Sequence, residues 1–141
     1  MRDSGGRVLG VGIDLCELDR IQGLWDRMGE RFLNRAYNPA EIDYIRGGGS
    51  PARRSAMLFA AKEAVVKCLG TGFSAGVGWK QVEVVPDPGG GWQVILHAEA
   101  ERRARLPGAT HWSIDLQLTR DHAVAVAIWS LGEGSPVGQG I

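Results

Sequence analysis

Asp14 is the first residue whose position could support chemistry. It ends a short aliphatic run that begins at Val8 and contains Gly10 and Gly12, a composition typical of a buried strand. A carboxylate at the end of such a strand is a candidate for catalysis or metal binding. It is equally a common N-cap of a following helix. The complete glycine fingerprint of a dinucleotide-binding loop is missing, so the glycines by themselves do not predict a nucleotide site.

Lys62, Glu63 and Lys67 form the second candidate group, and all three fall within one predicted helix. Glu63 precedes Lys67 by four residues, which is the favourable order for an ion pair on a helix surface. The group is therefore either a solvated, salt-bridged helix face or the source of a carboxylate and two ammonium groups for a functional site. The segment alone leaves both interpretations open.

The hydrophobic pattern predicts the elements that position these residues. Asn38 and Pro39 predict a helix start, and Glu41 follows the cap by three residues as in a capping box. The strongest helix prediction covers 52–69, which contains good helix formers and ends at Gly70. The other predicted elements are a strand at 8–14, a helix at 17–31, a hairpin at 81–85 and 92–96, a helix at 98–106, and strands at 112–118 and 124–128. The expected fold class is α+β, with an antiparallel sheet packed on one long central helix.

The length of 141 residues predicts a single domain. We expect it to occupy residues 1–130 and to be followed by a flexible, glycine-rich tail at 131–141. Alanines at 123, 125 and 127 give the last predicted strand a face of small residues. This face predicts close packing, either under a helix of the same chain or against another subunit.

Composition excludes several classes of partner. Lys+Arg and Asp+Glu both count 16, so we expect no binding to nucleic acid, and a charged partner has to be recruited by a local patch. Cys16 and Cys68 have neither metal-ligand nor redox spacing, which predicts reduced structural thiols. No apolar run approaches membrane-spanning length, and the N-terminus has no apolar signal core. We therefore expect a cytoplasmic protein that does not interact with membranes.

Two longer motifs contain the candidate residues. GIDLCELDRI at 12–21 and FAAKEAVVKCLGTG at 59–72 resemble, in order and separation, the two signatures of the acyl-carrier-protein synthase family of small 4'-phosphopantetheinyl transferases. RAYNPAE at 35–41 resembles the segment between those signatures, and the resemblance covers about residues 8–128. It implies an enzyme that transfers the phosphopantetheine arm of coenzyme A to a serine of an acyl carrier protein and releases 3',5'-ADP.

The resemblance also implies a set of site residues. Asp14 and Glu63 match the family's Mg²⁺ ligands, and carboxylates together with the coenzyme A diphosphate are the hard oxygen ligands that Mg²⁺ prefers. Glu63, directly or through a water, is also the candidate general base. Lys62 and Lys67 are candidate phosphate contacts, and Lys62 would also take part in catalysis by stabilising charge on the transferred group. The implied nucleotide-binding loop consists of Gly70, Thr71 and Gly72.

Arginines on the predicted helix at 17–31 and just beyond it suggest how a partner would dock. Arg20, Arg27, Arg31 and Arg35 are spaced seven, four and four residues apart, which places them near one face if the helix continues. Acidic residues nearby leave a mixed, salt-bridged surface as the alternative. The family resemblance implies docking of an acidic carrier protein, with Arg20 and Arg27 as the docking residues. It further implies a homotrimer with its sites between protomers.

The chain departs from the family pattern at two positions. Leu58 stands where many members have an arginine, and Leu118 stands where many have a histidine. The nearby His122 is either a replacement for that histidine or a solvated turn residue. These departures motivate an alternative function, a catalytically weakened member that acts as a carrier-binding module. The retained Asp14 and Glu63 favour an active enzyme. The sequence leaves open whether the carrier belongs to fatty-acid or polyketide synthesis.

Overall fold

The computed structural model of the protein describes residues 6–74, 76–106, 108 and 110–132. In chain order the helices and strands are β1 (Arg7–Glu17), α1 (Leu18–Met28), α2 (Glu30–Ala36), α3 (Pro39–Arg46), α4 (Pro51–Leu69), β2 (Val82–Pro86), β3 (Trp92–Leu96), α5 (Ala98–Ala104), β4 (Thr110–Leu118) and β5 (His122–Leu131). A single 3-10 turn at Trp79–Gln81 precedes β2.

The strands form two antiparallel sheets. β5 lies between β1 and β4 in a three-stranded sheet, and β2 pairs with β3 in a separate hairpin. α4 packs with one side on β1 and β5 and with the other on α1, α3 and β2. The predicted α+β class, with an antiparallel sheet on a long central helix, is therefore confirmed. The division into two sheets is a detail that the sequence pattern did not contain.

α4 can approach the sheet closely because the facing residues are small. Gly12 pairs with Ala127 and Asp14 pairs with Ala125, so all four belong to the face of the sheet that α4 covers. A Cβ at Gly12 would lie far inside contact distance of the carbonyl oxygen of Ala64 on α4. The alanines of this face, Ala123, Ala125 and Ala127, are fully buried. The helix of the same chain thus accounts for the small-residue face, which leaves no surface there for another subunit.

Local sequence signals explain where several helices begin and end. The hydroxyl of Ser50 accepts a hydrogen bond from the Arg53 N–H at the start of α4, and Pro51 occupies the first helical position. Gly70 ends α4 with a left-handed φ of 76°, a conformation that glycine adopts without strain. Asn38 precedes α3, as the sequence predicted. These boundaries agree with the local pattern because capping depends on neighbours in sequence.

The helix predicted at 17–31 is wrong as a single element. β1 extends to Glu17, α1 ends at Met28, and α2 begins at Glu30 after Gly29, whose φ is 57°. Asp14 therefore lies within β1 and is not the N-cap of α1, because Glu17 occupies that position. The arginine face inferred from a continuous helix also fails, since it is divided between α1 and α2.

The predicted tail falls largely outside the described residues, which end at Gly132. The domain boundary at residue 130 consequently stays a prediction. None of the helices in the described part of the chain has the length and apolar character that crossing a bilayer requires.

The contact between β1 and α4 yields a stability prediction. Gly12→Ala places a methyl group against the Ala64 carbonyl, which neither backbone can avoid without moving apart. We expect a loss of roughly 3 kcal/mol in the free energy of unfolding, measured by urea denaturation. Gly78→Ala is the control, because its Cβ would approach nothing closer than 4.0 Å. Equal stability of the two variants would contradict the proposed close contact.

Candidate active site

Asp14 and Lys67 meet at the edge of the contact between β1 and α4. The Lys67 Nζ donates to Asp14 Oδ1 at 3.1 Å and to the backbone carbonyl of Ile13 at 2.8 Å. The Lys67 side chain is 48% exposed and that of Asp14 is 16% exposed. The Lys67 side chain therefore extends from α4 to β1. Because part of the Lys67–Asp14 pair is exposed, a ligand can approach it from solvent.

Glu63 lies one helical turn before Lys67 and completes this group. Partial burial raises the pKa of Glu63 above its ordinary value, and the negative charge of Asp14 raises it further. The positive charges of Lys67 and Arg20 act in the opposite direction. Asp14, Glu63 and Lys67 thus form one electrostatically coupled cluster at the junction of β1 and α4.

The two carboxylates fit a divalent cation with hard-ligand preference. Their like charges repel, and a bound cation relieves this repulsion. Within the described residues no group of three or more His, Cys, Asp or Glu side chains could hold a metal ion. A cation bound by Asp14 and Glu63 would therefore keep most of its coordination positions for water and substrate oxygens. Mg²⁺ is commonly bound in this way, through one or two carboxylates and substrate phosphates.

Arg20 also reaches this region. Its guanidinium lies 5.3 Å from the centroid of the Phe59 ring on α4, and its charge lowers the pKa of Glu63. Arg27 lies two turns further along α1 on the same side of the helix, and both arginines are exposed. The two predicted docking residues therefore share one surface of α1. Arg31 and Arg35 belong to α2, beyond the break at Gly29.

Lys62 does not belong to the exposed cluster, and its predicted phosphate contact has to be corrected. The side chain is fully buried, and its Nζ donates to Glu41 Oε1 at 2.8 Å. Burial lowers the pKa of Lys62 and raises that of Glu41, while each partner's charge opposes the other's shift. Because the ammonium is enclosed by protein, it offers no surface to a phosphate. The sequence suggested Glu41 only as a capping residue and gave no sign of this buried pair.

The loop at Gly70, Thr71 and Gly72 directly follows the turn of α4 that carries Lys67. Gly70 and Gly72 have left-handed φ angles of 76° and 59°, and nothing lies within 4 Å of a Cβ built on either. Thr71 Oγ1 donates to the carbonyl of Gly72 at 2.8 Å. The backbone conformation alone therefore requires glycine at both positions, and the space beside them is open. Nucleotide binding by this loop stays a prediction.

The two departures from the family pattern lie in different environments. Leu58 is fully buried in the core, whereas Leu118 is only half-buried. His122 lies at the start of β5, where its backbone N–H donates to Thr119 Oγ1 at 3.0 Å.

The thiols of Cys16 and Cys68 are buried, and burial raises the pKa of each to about 11. This agrees with structural roles for both cysteines.

A family model decides where the chain belongs. The model of the 4'-phosphopantetheinyl transferase superfamily matches residues 10–127, a span that includes Asp14, Glu63 and Lys67. The chain belongs to this superfamily. The family resemblance found in the two motifs is thereby confirmed, and the protein is a transferase enzyme.

Individual relatives agree with this assignment. The holo-[acyl-carrier-protein] synthase of Nitratidesulfovibrio vulgaris is 43% identical over 121 residues, which are 86% of this chain and 97% of the relative. The protein of the same name from Solidesulfovibrio magneticus is 44% identical over the same length and the same shares of the two chains. These relatives place the chain among the holo-acyl-carrier-protein synthases of the superfamily.

Solved structures share the fold. A holo-(acyl-carrier-protein) synthase from Bacillus anthracis, in complex with CoA (3',5'-ADP), has a TM-score of 0.72 and 27% identity, with 89% of this chain and 98% of that chain covered. The holo-[acyl-carrier-protein] synthase from Neisseria meningitidis has a TM-score of 0.75 and 26% identity, with 87% and 98% covered. The α+β architecture is therefore the fold of this family.

Proposed function

We propose that the enzyme transfers the 4'-phosphopantetheine arm of coenzyme A to a serine of an acyl carrier protein and releases 3',5'-ADP. The observation that carries this proposal is the cluster of Asp14, Glu63 and Lys67 at the junction of β1 and α4. Two carboxylates and an exposed ammonium suit a reaction at a diphosphate. The relatives named as holo-acyl-carrier-protein synthases supply the substrate class.

Asp14 and Glu63 would hold Mg²⁺, and Lys67 would contact the phosphates. When bound, the ion supplies positive charge beside the diphosphate. The Lys67 ammonium already lies at the open edge of the site, where it can stabilise charge on the transferred phosphoryl group.

Glu63 would act as the general base, directly or through a water. The raised pKa of Glu63 brings it closer to the operating pH, which makes it a better proton acceptor than an ordinary carboxylate. The serine oxygen forms a bond to the phosphorus that carries the pantetheine arm, and its proton passes to Glu63. The bond between that phosphorus and the bridging oxygen breaks, and 3',5'-ADP leaves with the electron pair.

Arg20 and Arg27 would dock the carrier protein, which we propose to be acidic at the contact. Both guanidinium groups are exposed on one side of α1, and Arg20 lies beside Phe59 at the edge of the site. Because the net charge of the whole chain is balanced, the attraction has to be local. Docking on α1 would bring the carrier serine toward Glu63.

The alternative of a weakened, carrier-binding member has less support. Leu58 replaces an arginine common in the family, but the Leu58 side chain is part of the core and does not line the exposed cluster. The carboxylates proposed to bind metal are retained, and a pure binding module has no need of them. A transfer assay distinguishes the two functions, because only an active enzyme adds phosphopantetheine to the carrier.

We also propose a homotrimer with sites shared between protomers. The face of β1 opposite α4 presents Val11, Ile13 and Leu15, which are 55%, 59% and 62% exposed. Half-buried aliphatic residues of β5 continue this face: Val124, Val126 and Ile128. A contiguous apolar face of this kind is typical of a protein interface. It replaces the alanine face as the candidate for assembly.

Transfer is tested by mass spectrometry of an apo carrier protein incubated with coenzyme A, Mg²⁺ and the enzyme. We expect the carrier to gain the mass of phosphopantetheine. Asp14→Asn and Glu63→Gln should each lower the rate by about 100-fold or more, because each removes a proposed metal ligand. Glu101→Gln, which changes an exposed carboxylate on α5, should keep the wild-type rate. Near-native turnover of either site variant would contradict the proposed site.

Docking is tested by charge reversal. Arg27→Glu should raise KM for the carrier by roughly tenfold and leave KM for coenzyme A unchanged, because the charge lies only on the docking surface. Arg20→Glu should raise KM for the carrier at least as much, and added salt should reproduce both effects on the wild type. Arg105→Glu, which changes an exposed arginine just after the end of α5, is the matched control. Salt-independent KM values would count against electrostatic docking.

Assembly is tested by light scattering. We expect about three times the mass of one 15.2 kDa chain. Val11→Lys puts a charge into the apolar face and should yield monomers with reduced transfer, because both the interface and the shared sites are lost. Gln93→Lys changes an exposed residue of β3 and should leave the trimer intact. A fully active monomer would refute the shared sites while leaving the chemistry in place.

A further inference from the structure

Lys62 is at the centre of a buried polar cluster on the side of α4 away from the sheet. Its Nζ donates to Glu41 Oε1 at 2.8 Å, to the carbonyl oxygen of Trp79 at 3.0 Å, and to that of Val82. An ammonium group has three donors, and each of them has an acceptor here. The cluster therefore joins the middle of α4 to the turn that leads into β2.

Glu41 extends the cluster to α3. Its Oε1 also accepts the Asn38 N–H at 2.8 Å, and its Oε2 accepts the Val84 N–H at 2.9 Å. Both charged side chains are fully inaccessible to solvent. A buried ion pair persists when its geometry is good and its remaining hydrogen-bonding groups are satisfied, as they are here. The ammonium of Lys62 is thus fixed from several directions.

Trp79 connects this cluster to the loop beside the proposed site. Its ring stacks on Phe59 of α4 with centroids 4.4 Å apart and on Phe73 with centroids 3.8 Å apart. Phe73 directly follows Gly72 in the chain. The described residues 71–74 and 76–78 therefore connect the C-terminal end of α4 to a turn that Lys62 holds through a backbone carbonyl.

We infer that Lys62 is a positioning residue, whose buried ammonium fixes the Trp79 turn and, through the stacked rings, residues 71–74, which follow the end of α4. Neighbouring residues of a helix point about 100° apart, so Lys62 and Glu63 lie on different sides of α4, and only Glu63 belongs to the exposed cluster. The inference rests on the proposed function only where it concerns coenzyme A as the ligand of this segment. The positioning itself is a property of the free protein.

Hydrogen exchange measured by mass spectrometry tests the positioning. In Lys62→Met, the amides of residues 71–74 and 76–81 should exchange about tenfold faster, whereas those of α4 should keep their protection. Lys80→Met is the matched control, because it removes an exposed lysine from the same turn and keeps the backbone contacts. Unchanged exchange at 71–74 and 76–81 in a folded Lys62→Met variant would overturn the inference.

Lysine acylation of the wild-type protein supplies a test that does not depend on a variant folding. Lys67 should be modified in the free protein and protected by coenzyme A, whereas Lys62 should stay unmodified with and without coenzyme A. Modification of Lys62 at a rate similar to that of Lys67, with protection by coenzyme A, would show a direct phosphate contact and overturn the inference.

Steady-state kinetics separate positioning from a general loss of stability. Lys62→Met should raise KM for coenzyme A by about tenfold, with KM for the carrier and kcat changed by no more than about threefold. A fall in kcat with no change in KM for coenzyme A would contradict the inference. If the wild type transfers nothing, the proposed function fails, and the exchange and acylation results still decide the role of Lys62.

Discussion

The close approach of α4 to the sheet is the constraint on which the rest of the molecule depends. Gly12 leaves room for the backbone of α4 at Ala64, and the alanines of β5 continue the same flat surface. Because the helix lies this close, a lysine on α4 can reach a carboxylate on β1. The polar cluster proposed as the active site therefore results from a packing contact whose essential residues carry no functional groups.

α4 carries charged residues in two different environments, the exposed site and the protein interior. Most residues of its central turns are buried, with the sheet on one side and α1, α3 and β2 on the other. Two adjacent charged residues consequently have opposite roles. Glu63 lies at the open edge with its pKa raised, and Lys62 is enclosed and paired with Glu41. Burying this pair costs solvation free energy, which hydrogen bonds from three separate elements offset.

The surface divides into regions of different character. The outer face of β1 is aliphatic, whereas the exposed arginines of α1 border the polar cluster. A self-association surface and a carrier-docking surface can therefore exist without competing. The balanced net charge does not reveal this arrangement, because a sum over the whole chain carries no information about where each charge lies.

Local sequence determined much of this protein. Helix α4, its Gly70 end, the Asn38 start of α3 and the β2–β3 hairpin depend on near neighbours, and the two family motifs identified Asp14 and Glu63. Only the tertiary structure decided which charged side chains of α4 are buried and which are exposed. A helix fixes the angles between its residues, but it does not determine which elements pack on each side of it. It also ended α1 before Gly29, assigned the alanines of β5 to α4, and removed Lys62 from the exposed site. These outcomes depend on contacts between residues far apart in the chain, which a local pattern cannot contain.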